Sequence, residues 1–134
     1  MRPRIVIDTN VYVSGIIYRS SVPGRAVSRA WEVGIPLLSE STWTELQSVF
    51  QKTKLARYIE PETLRAFLEQ LLDLGELVSI LSPIRACRDP RDDKFLEVAV
   101  HGHADVLISG DQDLLALHPY RGTAILTPAD FLNL

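Results

Sequence analysis

The sequence predicts an α/β domain, an open three-layer α/β/α sandwich around a parallel sheet of four or five strands. Two observations predict it. Short apolar runs alternate along the chain with longer segments of helical periodicity. Strands separated in this way by crossover helices pair in parallel and are covered on both faces. With 134 residues, 46% of them hydrophobic and 23% charged, the chain can bury a core without disulfide or metal staples. No internal repeat, low-complexity stretch or linker interrupts it, so residues 1–134 read as one domain.

Ile5-Val6-Ile7 is the first strand, and Asn10 to Ile17 follows as a short helix or turn. Pro23 suits the first turn of a helix that stops near Gly34, and Pro36-Leu37-Leu38 is the second strand. Thr42-Trp43-Thr44-Glu45 has capping-box spacing ahead of a Leu46, Val49 and Phe50 stripe. Pro61 opens the clearest helix: Leu64, Phe67, Leu68, Leu71 and Leu72 share a face, and Gly75 closes it. Leu77 to Leu81 is a β-type run. Asp89-Pro90 starts a helix running to about His101, and Val106-Leu107-Ile108 is the next strand. Asp111 to Leu117 is a short helix, Ala124-Ile125-Leu126 a strand, and Pro128 to Leu132 a last turn.

Several function classes fall away. Cys87 is the only cysteine, which excludes an internal disulfide or a cysteine-based zinc site and suits a reducing compartment. Three apolar residues after Arg4 are too few for a signal-peptide core, and no stretch approaches a membrane span, so a cytoplasmic protein without membrane contact is expected. Fourteen basic against 17 acidic residues give a net charge of −3, which at first sight argues against a nucleic-acid clamp.

The placement of the acids changes that reading. Ligands of open α/β sheets bind outside the carboxyl ends of the strands. Asp8 follows the first strand directly, and Asp111 follows Val106-Leu107-Ile108-Ser109-Gly110. Asp113 and Asp93 lie in first turns of helices near the same rim, and Glu45 flanks the Trp43 and Leu46 stripe. Clustered carboxylates repel, and a divalent cation removes the conflict. Mg²⁺ or Mn²⁺ takes hard oxygen ligands from separate elements, and a pair of such ions activates water and stabilises the leaving oxygen of a phosphodiester. Each acid also has a structural use: Asp111 and Asp113 as helix caps, Asp93 as a first-turn acid, Glu45 as a capping partner. Capping does not explain why two strands end in Asp.

Three segments in order, Ile5-Val6-Ile7-Asp8-Thr9-Asn10-Val11, Cys87-Arg88-Asp89-Pro90-Arg91-Asp92-Asp93-Lys94-Phe95-Leu96-Glu97 and Ile108-Ser109-Gly110-Asp111-Gln112-Asp113-Leu114-Leu115, resemble the PIN-domain ribonucleases. Within them the chain is similar to toxin components of prokaryotic toxin–antitoxin systems, relatives of the VapC-like toxins. The resemblance spans nearly the whole chain, to Thr127-Pro128-Ala129-Asp130-Phe131-Leu132. It implies a PIN-like fold and a Mg²⁺- or Mn²⁺-dependent endoribonuclease in which a metal-activated water hydrolyses RNA. Asp8, Glu45, Asp93 and Asp111 take the family's catalytic acid positions, and Asp113 joins them as a metal ligand. Asn10 and Ser109 take the supporting polar positions. Helix phase favours Glu45 over Glu40. Between Asp92 and Asp93, the spacing to Phe95-Leu96 and Val98-Ala99 selects Asp93, leaving Asp92 as a first-turn acid. The resemblance further implies a cognate antitoxin whose segment covers the acidic site, and a homodimer.

Other activities fit less well. A receiver-like signalling module needs a lysine after the final strand, and the last lysine is Lys94. A haloacid-dehalogenase-like phosphatase needs a second acid where Asn10 stands. A PIN nuclease acting on DNA, or in RNA processing outside a toxin–antitoxin system, is the nearer alternative, although flap nucleases usually carry further helices. Glu97 and His101 read as a pair on a solvated face, His103, His118, Trp31 and Trp43 as structural, and Cys87 as a small buried hydrophobe.

With the five site acids set aside, 14 basic residues face 12 acids. Eleven of the basic residues are Arg, which forks onto phosphate. Arg19, Arg25, Arg29, Lys52, Lys54 and Arg57, from the basic first part of the chain, are the candidate RNA phosphate contacts.

Overall fold

A computed structural model describes residues 1–52 and 54–134. Among the described residues five strands, β1 (Arg4–Ile7), β2 (Ile35–Leu38), β3 (Glu76–Leu77), β4 (Val106–Ile108) and β5 (Ala124–Leu126), form a sheet in the order β3-β2-β1-β4-β5. Every pairing is parallel, with Ile5 beside Pro36 on one flank and Val106 on the other. The helices are α1 (Thr9–Ile17), α2 (Val22–Val33), α3 (Glu40–Lys52), α4 (Pro61–Leu74), α5 (Asp93–His101), α6 (Gln112–Leu115) and α7 (Pro128–Leu132).

Side chains alternate across the sheet, as the two-residue period of a strand requires. Ile5, Ile7, Val106 and Ile108 enter one core with α1, α2, α3, α4 and α7. Val6 and Leu107 enter the other with α5 and α6. Both faces are buried, which explains why the central strands are continuously apolar. On the first face Tyr12, Trp31, Phe50 and Phe67 pack ring against ring at centroid separations of 5.0–6.3 Å, and the Trp31 indole N–H donates to the Tyr12 hydroxyl. Gly34 ends α2 for reasons of space: a Cβ there would lie 2.6 Å from the Ile5 side chain and from the Pro3 carbonyl.

Two local expectations change. Helix α3 begins at Glu40, ahead of the start that the Thr42 spacing suggested. The capping box is formed by Ser39 and Thr42, whose hydroxyls accept each other's main-chain N–H at 3.1 and 2.9 Å. The second concerns Leu77 to Leu81, of which only Leu77 lies in a strand, β3. Beyond Val78 the main chain leaves the sheet, because its amides find acceptors on α5: Ser82 on His101 Nε2, Ile84 on Glu97 Oε2, and Ala86 and Cys87 on Asp93 Oδ1. Glu97 and His101 therefore hold a loop rather than pairing on a solvated face.

Candidate functional site

The strand order reverses at β1. The chain builds outward through β2 to β3, then returns to lay β4 against the opposite side of β1. The crevice at the carboxyl ends of β1 and β4 is the switch point at which open α/β sheets bind ligands. Asp8 stands there, its N–H bonded to the Ile108 carbonyl at 3.0 Å, and the residue is 5% exposed.

Capping and clustering coexist in these acids. Asp8 caps α1 by accepting the Asn10 N–H on Oδ1 at 3.1 Å, while Oδ2 accepts from the Ser109 hydroxyl at 2.7 Å. Ser109 is completely buried, and its Oγ in turn accepts the Asp111 N–H at 3.0 Å. Asp111 caps α6 by accepting the Asp113 N–H on Oδ1 at 2.7 Å. One serine hydroxyl thus fixes the spacing of the two strand-end acids. Asp113 is half-buried beside them, and the Asn10 side chain is exposed at the mouth.

Asp92, rather than Asp93, faces this pair. Asp92 ends a 3₁₀ turn (Pro90–Asp92), and its carboxyl faces that of Asp111. Burial, a proton shared with the Asp111 carboxyl, and the charges of Asp111, Asp8 and Asp89 push its pKa up to about 7. Burial also raises Asp8, with Asp111 and Glu45 adding to the rise and the Ser109 and Asn10 hydrogen bonds opposing it. Asp93, preferred to Asp92 on spacing, is buried and accepts the Ala86 and Cys87 N–H groups on Oδ1 at 3.1 and 2.7 Å. Successive residues of a helical turn project about 100–120° apart, so the neighbouring acids point to different places.

Glu45, in the second turn of α3, approaches from the other side. Its Oε1 meets Lys94 Nζ at 2.7 Å and its Oε2 accepts from the Thr9 hydroxyl at 2.5 Å. Among the described residues no three acidic, histidine or cysteine side chains stand as a ready-made shell for one ion. Glu45 is drawn to Lys94 and Thr9, and Asp93 to the loop amides. The donor set still fits a hard divalent cation. It is all carboxylate oxygen, and the Asp92–Asp111 contact joins two acceptors that only a shared proton or a cation can hold together.

A cleft of about 490 Å³ opens on one side, lined by Asp8, Asn10, Asp111 and the first turn of α2 at Val22 and Pro23. A groove of about 860 Å³, lined by Ser41, Thr44, Glu45, Ser48 and Lys94, lies along α3. The six basic candidates are all exposed. Arg19 follows α1, and Arg25 and Arg29 lie on α2, whose first turn borders the cleft. Lys52 is seven residues beyond Glu45 on α3, roughly 10 Å of helix rise. Lys54 and Arg57 lie further on, in the 3₁₀ turn Lys54–Tyr58, where Arg57 bonds the Lys54 carbonyl and covers the Tyr58 ring.

Residues 4–113 match the PIN domain. The chain belongs to the PIN domain family. Members of this family are generally metal-dependent nucleases. This PIN domain is 32% identical over 118 residues to MJ1680, an uncharacterized protein of Methanocaldococcus jannaschii, covering 85% of this chain and 74% of that protein. Its fold is shared with a chain in the crystal structure of VapBC2 from Rickettsia felis bound to a DNA fragment from their promoter. There the TM-score is 0.59 at 13% identity, over 91% of this chain and 96% of that one. PAE2754 from Pyrobaculum aerophilum gives a TM-score of 0.56 at 18% identity, over 98% of this chain and 88% of that one. At such identities the two structures speak for the fold alone. Among the described residues no helix is long and apolar enough to cross a membrane.

Sequence reasoning missed three participants in this PIN domain's centre. Asp92 carried a faint signal, since the Asp92-Asp93 doublet offered two candidates for one place. Thr9 and Lys94 carried none, because their Glu45 contacts span 36 and 49 residues.

Proposed function

We propose that this PIN domain is a Mg²⁺- or Mn²⁺-dependent endoribonuclease, the toxin of a toxin–antitoxin pair. The observation that carries the reading is the Asp92–Asp111 contact beside buried Asp8 at the switch point of the sheet. Three carboxyl groups from separate elements converge where they repel unless positive charge joins them. When bound, a divalent ion supplies a water of lowered pKa and stabilises charge on the leaving oxygen of a phosphodiester. Asp8, Asp92 and Asp111 would hold it, with Asp113 beside them. Ser109 and the Asn10 amide orient Asp8 and keep one geometry ready. The cleft and the groove would give a flexible strand a path across the centre, with Arg19, Arg25 and Arg29 as candidate contacts for its phosphates.

The toxin assignment is supported by the fold shared with the VapBC2 chain, together with the motif resemblance. It entails an antitoxin segment that covers the acidic centre, and a homodimeric toxin. Asp8→Asn tests the nuclease reading. RNA cleavage that depends on added Mg²⁺ or Mn²⁺ should fall at least about 100-fold, with the thermal unfolding midpoint of the apoprotein preserved or raised. Equal cleavage by wild type and variant would overturn the reading and identify a contaminating nuclease.

A further inference from the structure

We propose that Lys94 is a built-in cation that reserves Glu45, so that the acidic centre takes a single divalent ion, held by Asp8, Asp92 and Asp111. The inference rests on the metal-dependent reading above and concerns how many ions that centre accepts. Glu45 has both oxygens engaged, Oε1 by Lys94 Nζ at 2.7 Å and Oε2 by Thr9 at 2.5 Å. The ion pair is sheltered, with side chains 21% and 27% exposed, so water screens it less than a surface pair. Lys94 also leaves the main chain two residues after Asp92. The turn that carries Asp92 to Asp111 therefore carries the ammonium to Glu45.

Electrostatic repulsion points the same way. A second ion at Glu45 would have to displace the ammonium or sit against it, and like charges at about 4 Å repel strongly in a partly buried site. Lys94 is thus a positioning residue: it fixes Glu45 and sets the number of ions.

The test counts Mn²⁺ bound per chain at neutral pH, by calorimetry and by the electron paramagnetic resonance signal of free Mn²⁺. The full chain is compared with Lys94→Met and Glu45→Gln. Wild type is expected to bind one ion, Lys94→Met two, and Glu45→Gln still one. Two ions on wild type, one on a folded Lys94→Met, or loss of the ion in Glu45→Gln would overturn the proposal. Should Lys94→Met fail to fold, the wild-type and Glu45→Gln counts decide it. No ion on wild type would remove the metal-dependent reading as well. One ion on both wild type and Lys94→Met removes this proposal alone.

Discussion

Two neighbouring acids at the start of α5 meet opposite environments. Asp93 shares a face with Glu97 and His101, and all three accept main-chain N–H groups from the loop at 82–87. His101 donates from Nδ1 to the Glu97 carbonyl, which leaves Nε2 as the acceptor for Ser82. Asp92 meets Asp111 and lies within reach of the Asp8 charge. Acceptors matched by donors build structure. Acceptors facing acceptors hold only with a proton or a cation between them. For this pair, the groups each carboxylate faces, rather than its position in the chain, separate the two roles.

Exchanging the pair breaks the comparison most directly. Asp92→Asn is expected to weaken Mn²⁺ binding by about 10–100-fold and to raise the unfolding midpoint of the metal-free protein. Asp93→Ala leaves two amides without their acceptor and should cost about 2–4 kcal/mol of stability while Mn²⁺ affinity changes little. Calorimetric titration and denaturant unfolding on both variants check this, and the reverse pattern would swap the roles.

Acidity sharpens the comparison next. Asp92 has a folded pKa of about 7, against about 3.9 for an unfolded aspartate. The folded state holds that proton more tightly. Its contribution to stability is complete below pH ~4 and is lost as pH rises through 7. The raised Asp8 acts in the same direction. Metal-free protein should therefore lose thermal stability across that window, and Asp92→Asn should flatten the decline. Stabilisation by added Mn²⁺ should grow over the same range, since the ligands must be deprotonated to bind. Melting curves with and without Mn²⁺, taken between about pH 4 and 8, measure it.

The smallest effect belongs to the structural side. Glu97→Ala frees one amide, that of Ile84, and should cost about 1 kcal/mol in urea unfolding with Mn²⁺ affinity unchanged.

How much the sequence disclosed depended on how local the cause was. Asp8 and Asp111 were legible because an apolar strand delivers the residues at its carboxyl end to the rim, and strand register does the rest. The central strands were legible for the same reason. The start of α3 was misplaced because Thr42 also fits as a first cap, and only the folded chain shows its hydroxyl returned to Ser39. Leu77 to Leu81 looked like a strand by composition. Its continuation depended on which acceptors stood nearby, and α5 supplied them some 20 residues later. The choice between Asp92 and Asp93 turned on which way each of two successive side chains projects, and spacing cannot register that direction.

The strapping of the 82–87 loop also bears on what can vary in this protein. Every anchor is a side chain of α5, and each holds the loop by its main chain. Ser82, Pro83 and Arg85 are exposed, and the Ser82 hydroxyl stands 3.5 Å from His101 Nε2. Pro83 occupies a place between two anchored amides where no N–H is required. Its exposed positions can therefore accept new residues, and so a new chemical surface, while the path of the loop stays fixed. Proline is barred from Ser82, Ile84, Ala86 and Cys87, where an N–H must be given. Change at the surface and constancy of the scaffold are thereby assigned to different parts of the same chain.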